Sequence, residues 1–370
     1  MLLSENEVAT SLRRVRKIGI YTSSVNHFIE TITYWIAADK NIEVLLITPE
    51  KSKGPEHAWC LKRLFQCPFS NVKIISPLSP SIDTDWLYIS LTGKKPTFSY
   101  SLNRWIRKAE NTGIITHSNY QGSWKRILKE VMYALPYNLL ASSTILQIGD
   151  QSRHPYSFIK NKCFYSPSVH PQYIVNESYA QLLFVVEKEY QAEREFKFTY
   201  LGNKNPPERE MVLKRVRNAL NTVAEPTYLE DYPLQSQPTE RSMNILWIEY
   251  GDQGSKRGLK PPEYIKALNE TDFCISPLGW GGNWTHRVIE ALVCGAIPIL
   301  EDADRYNIGL TDMETCISVK NGNWEEAIER ATKLEPKEVI AMRSRIEALR
   351  ENYLLPEIAA HRFRESLNLN

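Results

Sequence analysis

Between Asp272 and Asp302 the chain sets a glycine-rich turn against a short run of charged residues whose types suit an anion. Gly279, Gly281 and Gly282 let the backbone approach a ligand without interference from Cβ atoms. Ser276 ends the apolar run before them, Asn283 is a good helix N-cap, and His286, Arg287 and Glu290 follow within two turns. Free N–H groups and the helix dipole favour negative charge at such a start. Arginine there adds bidentate bonds to phosphate, each charge-assisted bond contributing roughly 1.5–3 kcal/mol. A carboxylate one turn later can accept bonds from ribose hydroxyls. Together these features suggest a nucleotide diphosphate. Arg287 and Glu290, at i,i+3 spacing, fit a plain surface ion pair as well.

Other residues could handle protons or metals. His27 lies just after a first predicted strand, His117 follows another, and Asp150 ends a third beside Gly149. Each stands where a general base could stand, and each also reads as a solvated or capping residue. Asp-x-Asp occurs at Asp83-Thr84-Asp85 and Asp302-Ala303-Asp304. The first precedes a strand, the wrong end for a ligand. The second follows one and could hold Mg²⁺ or Mn²⁺, or simply cap the next turn. Glu301 and Asp302 could likewise bond sugar hydroxyls or cap that turn. The expectation is that no metal or other cofactor is needed.

The elements that would position these residues alternate between strand and helix, which predicts open α/β sheets. Strands are expected at 15–22, 42–48, 72–76, 86–90, 113–116 and 144–148, with helices at 27–38, 102–111 and 122–135. An irregular, proline-containing connection spans 151–176. A helix at 179–194 leads into a second α/β set. Its strands are expected at 196–201, 244–250, 273–275, 296–300 and 315–319. Its helices are expected at 208–221, 261–269, from Trp284 to just before Gly295, 324–333, 336–352 and 356–367. Gly202 ends the first of those strands, and Arg209 stands in the first turn of the helix behind it; both are candidates for the nucleotide side of the site, and Arg209 also reads as a plain first-turn surface arginine. Ligands bind beyond the carboxyl ends of parallel strands, so the loops carrying the candidates above would line one cleft.

The stretches Ser276-Pro277-Leu278-Gly279, His286-Arg287-Val288-Ile289-Glu290-Ala291-Leu292 and Gly295-Ala296-Ile297-Pro298-Ile299 resemble the signature of exostosin-like glycosyltransferases. The resemblance implies a GT-B architecture: two Rossmann-like α/β domains facing across a cleft, with a C-terminal helix crossing back. It implies an acceptor-side domain at 1–176, a donor-side domain at 177–352 and the crossing helix at 353–370. A nucleotide sugar, with UDP as the expected nucleotide, would meet Arg287 at its diphosphate and Glu290 at its ribose. A sugar would pass to a glycan or glycoconjugate acceptor. Many retaining GT-B enzymes carry a second glutamate eight positions before the first, and here that position is Gly282, which leans towards inversion. An epimerase of the same architecture and a non-catalytic nucleotide- or glycan-binding module are the rival readings.

Composition narrows the remaining classes. A length of 370 residues favours two domains. A net charge of +2, with no long basic run, argues against a nucleic-acid partner. The 6 cysteines form no Cys-x-x-Cys and read as reduced thiols of a cytoplasmic protein. No apolar stretch is long enough to span a membrane, and peripheral association with one stays open.

Overall fold

The computed structural model describes residues 15–49, 55–66, 69–91, 100–117, 143–147, 162–165, 169–185, 190, 192–204, 207–223, 226–230, 243–250, 258–279, 285–367 and 369. Seven strands form the first sheet: β1 (Arg16–Tyr21), β2 (Ile42–Ile47), β3 (Val72–Ile75), β4 (Thr84–Ser90), β5 (Ala109–His117), β6 (Ser143–Gln147) and β7 (Lys162–Tyr165). Their order is β3-β2-β1-β4-β5-β6-β7. The second sheet contains β8 (Phe196–Asn203), β9 (Pro226–Leu229), β10 (Met243–Tyr250), β11 (Thr271–Ser276), β12 (Ile297–Leu300) and β13 (Ile317–Ser318), ordered β13-β12-β11-β8-β10-β9. Every pairing of these strands is parallel.

Parallel strands covered on both faces need near-continuous apolar sequence, and Ile42–Ile47 and Ile297–Leu300 supply it. In the second sheet the chain order reverses beside β8, whose neighbours are β10 and β11. The carboxyl ends of β8 and β11 therefore open a crevice of the kind that receives ligands in such sheets. The C-terminal helix Pro356–Ser366 returns to the first domain and packs on the helix His27–Ala37. Phe363 meets Trp35 with ring centroids 5.2 Å apart, and Arg364 Nη1 donates to the Trp35 carbonyl at 2.9 Å.

Several boundaries differ from expectation. The helix expected over 102–111 ends at Ile106, because Ala109 onward is drawn into β5, in register with Thr84 of β4. The connection at 151–176 contains β7, and of the helix expected at 179–194 the described part is a short helix, Glu177–Ala180, running into a π-helical turn, Gln181–Val185, with 192–194 not helical. The helix Pro55–Phe65 and the edge strand β9 were not anticipated. The expected helix at 122–135 lies outside the described residues. Among the described residues no helix is long and apolar enough to cross a membrane. Cys60, Cys274, Cys294 and Cys316 are buried.

Candidate functional site

The helix His286–Val293 begins at the crevice mouth, two residues later than expected. Its N-cap is Thr285, whose side chain accepts the Arg287 N–H at 3.4 Å. The helix ends before Gly295, which takes the left-handed conformation expected of it at φ 73°. A Cβ on Gly295 would lie 2.7 Å from the Tyr190 ring.

Arg287 and Glu290 are not a surface pair: they are 8% and 5% exposed. Arg287 Nε donates to the Leu201 carbonyl at 3.0 Å, and its guanidinium lies over the Tyr200 ring, 4.7 Å from the centroid. The path to this position runs over Gly202, where any Cβ would collide with Arg287 Nη2. Nη1 is buried and finds no hydrogen-bond partner among the described residues. A buried donor left unmatched is costly, and a charged one more so.

Arg209 stands on the same crevice. Its Nε and Nη2 both donate to the Leu278 carbonyl, at 3.1 and 2.9 Å, and Nη1 donates to Asn203 at 2.9 Å. Burial, and then the neighbouring Arg287 charge, pull its guanidinium below the usual range. Two guanidinium groups thus share a partly dry site. They line a cavity of about 470 Å³ together with Leu201, Tyr250, Gly279, Thr285, His286 and Glu290.

Glu290 is held by protein on both oxygens. Oε1 accepts the backbone N–H of His170 at 3.0 Å, and Oε2 accepts the Tyr264 hydroxyl at 2.8 Å. Burial raises its pKa, opposed by those two bonds and by the Arg287 charge. Burial, and then Glu290, keep the Tyr264 hydroxyl well above its ordinary pKa, so it remains a donor. From the sequence, Tyr264 stands only in the pattern Pro262-x-Tyr264-x-x-x-Leu268, which also resembles the exostosin-like family, with no role attached to its hydroxyl. His170 carries no such signal beyond lying between prolines in the connection.

A ladder of imidazoles joins this cavity to the first sheet. The ring of His170 lies 5.4 Å from that of His286 and 4.5 Å from that of His27. Burial, then His286 and His27, hold His170 well below the usual imidazole range, so it is neutral. His27 opens its helix behind the N-cap Asn26. Its Nδ1 lies 2.9 Å from Arg63 Nη2, 3.6 Å from Glu30 Oε2 and 3.6 Å from Cys60 Sγ. Arginine can only donate, so in the neutral ring Nδ1 is the acceptor and the proton sits on Nε2. His27, Glu30 and Cys60 have the spacing of a metal site. Arg63 Nη2 already occupies its centre, 2.6 Å from Glu30 Oε2 and 3.4 Å from Cys60, and a cation there would meet a guanidinium.

The other expected site residues fall apart from the cavity or outside description. Ser276 is buried and donates to the Cys274 carbonyl, away from the lining. Glu301 accepts the Trp324 indole N–H at 3.3 Å, and Asp302, at φ 60°, stands just before a 3₁₀ turn that its side chain does not cap; neither lines the cavity. Asp85 accepts the Lys17 N–H and Asp83 pairs with Lys108, at the amino end of β4 as expected. His117 ends β5, but its side chain lies outside the described set, as do Gly281, Gly282, Asn283 and Asp150.

No family model matches the chain. Over 40 residues it is 42% identical to three probable glucuronosyltransferases of Oryza sativa subsp. japonica, a stretch covering 11% of this chain and 9% of each of those proteins. Whole-chain similarity appears among solved structures. A glycosyltransferase from Rickettsia africae matches with TM-score 0.56 and 10% identity over 96% of this chain and 99% of that one. Anabaena HepE, in complex with UDP and glucose, matches with TM-score 0.53 and 12% identity over 95% and 99%. The N-terminal domain of Candida albicans trehalose-6-phosphate phosphatase matches with TM-score 0.53 and 11% identity over 96% and 97%. At such identities the likeness establishes the fold: two parallel-sheet α/β domains in the GT-B arrangement.

Proposed function

We propose that this protein is a glycosyltransferase that moves a sugar from a nucleotide-diphosphate sugar to a glycan or glycoconjugate acceptor. The observation that carries the reading is the buried Arg287, whose Nη1 has no partner among the described residues, set beside Arg209 in a cavity at the sheet crevice. An anionic diphosphate there satisfies the free donor and offsets the repulsion between the two cations. UDP is the proposed nucleotide. The UDP named with the Anabaena structure and the transferase names of the rice proteins support it.

In the proposed reaction the acceptor oxygen attacks the anomeric carbon, with inversion. The bond from that carbon to the diphosphate breaks, and its electron pair stays on the leaving phosphate oxygen. Arg287, Arg209 and the helix N-terminus at Thr285 stabilise that charge without a metal. The acceptor proton passes to a base, for which we favour His27 over His117 and Asp150 because its ring contacts His170 on the cavity wall. For Nε2 to take that proton, Nδ1 must carry its own and donate it as a hydrogen bond to Glu30, replacing the contact with Arg63; the imidazolium so formed is stabilised by the Glu30 carboxylate. The assignment of 1–176 to the acceptor and 177–352 to the donor belongs to the same reading, as does a cytoplasmic setting.

A thermal-shift series with nucleoside diphosphates and their sugars, with and without Mn²⁺, tests it, because ligands of the native state raise apparent stability. A rise with UDP or a UDP-sugar that needs no Mn²⁺ is expected. No response to any nucleoside diphosphate would remove the reading. Acceptor-free conversion of the sugar would point to an epimerase instead.

A further inference from the structure

Gln172 lines the cavity that holds Arg287, and it also lines a second cavity of about 450 Å³. The far wall of that second space is Arg63 and Gln66, at the end of the helix Pro55–Phe65. The near wall comes from the connection between the sheets, with Asn176, Ser178 and Tyr179. The two cavities therefore meet at Gln172, one on each side of the connection.

The chemistry of this second space is that of amides, a hydroxyl and a phenol. Its one arginine is already engaged: Arg63 Nε and Nη2 donate to Glu30 at 2.7 and 2.6 Å, and Glu30 is fully buried. Glu177 adds a carboxylate to the lining. Asn176 Oδ1 already accepts the Tyr179 N–H at 3.2 Å, which leaves its amide nitrogen for a ligand. Such a set matches the alternating donors and acceptors of sugar hydroxyls, and Tyr179 offers a face for a sugar ring. It disfavours an anion, since the local cation is neutralised and Glu177 repels negative charge.

Position adds a second argument. Arg63 touches His27 Nδ1, the His27 ring touches His170, and His170 lines the donor cavity. A His27–His170 pair thus stands where the two spaces approach each other. A hydroxyl held in one space and attacking a carbon held in the other would release its proton there.

We propose that the cavity between the helix Pro55–Phe65 and the 172–179 connection is the acceptor subsite, and that it takes an uncharged sugar residue. The inference rests on the donor reading for its catalytic meaning, but the binding claim is testable without donor. Saturation-transfer NMR with methyl β-glucopyranoside, compared with the corresponding methyl glucuronide, reads it directly. The neutral glycoside should bind, with the uronate at least about fivefold weaker. Gln66→Trp and Ser178→Trp each fill the space from an exposed position that tolerates change. Each should weaken the glycoside at least about fivefold while calorimetric UDP affinity stays within about twofold. No glycoside binding, equal binding of the uronate, or binding untouched by both tryptophans overturns the subsite. Loss of UDP binding in the unmodified protein would instead overturn the donor reading, whatever the glycoside does.

Discussion

Glu290 Oε1 accepts the backbone N–H of His170 at 3.0 Å, tying the connection between the sheets to the helix that carries Arg287. With Tyr264 on Oε2, the carboxylate is a latch before it is a ligand group. A ribose hydroxyl would have to share these oxygens or displace one donor. Glu290→Ala leaves two buried donors unmatched and should lower stability by about 2–4 kcal/mol. Urea unfolding measures this; an unchanged midpoint would show that the latch contributes nothing.

Arg287→Ala should weaken UDP by roughly 10- to 100-fold, the equivalent of one or two charge-assisted bonds. The fold should survive, because Nη1 leaves no partner behind among the described residues and the Leu201 carbonyl loses a single bond, from Nε. Arg287→Lys should recover only part of the affinity, since an ammonium cannot both reach the Leu201 carbonyl and present a planar fork. Calorimetry on the folded variants decides it.

Gly202, a candidate donor-side residue, does not itself line the cavity, but the Cβ of Gly202→Ala would collide with the Arg287 guanidinium. The UDP affinity should fall by a factor similar to that of Arg287→Ala, roughly 10-fold or more, with little change in melting temperature. Normal affinity would mean that the guanidinium can take another path to the cavity.

His27→Ala should abolish transfer while leaving UDP affinity intact. Loss of a positioned base typically lowers turnover by about 10²–10⁴-fold. Turnover close to normal would move the role to His117 or Asp150.

Glu30 gives the acid limb of stability a specific source. Burial raises its pKa, but the bonds from Arg63 and Tyr34, with the Arg63 charge, outweigh burial and hold it below its ordinary 4.5. Its contribution is therefore complete above that value and is lost as pH falls through the lower, folded value. Glu30→Gln, which strands a half-buried Arg63, should destabilise the protein by on the order of 3 kcal/mol at neutral pH. The gap to the unmodified protein should narrow as pH falls below 4.5 and through the lower, folded value. A gap that stays constant on acidification would assign the effect to packing alone.

Local sequence was enough for the two parallel sheets and for the helix that carries Arg287. Apolar runs such as Ile42–Ile47 and Ile297–Leu300 declare buried parallel strands. Gly295 closed its helix as its backbone freedom predicts. These are short-range properties, set within a turn or a strand. The tertiary structure alone decided what lies opposite each side chain. Arg287 and Glu290 read equally well as a surface pair until the crevice between β8 and β11 buried them. Glu290 meets a backbone N–H 120 positions away, and Arg63 reaches Glu30 across 33. Periodicity and spacing carry no information over such distances, because those contacts exist only once the connection folds back between the sheets.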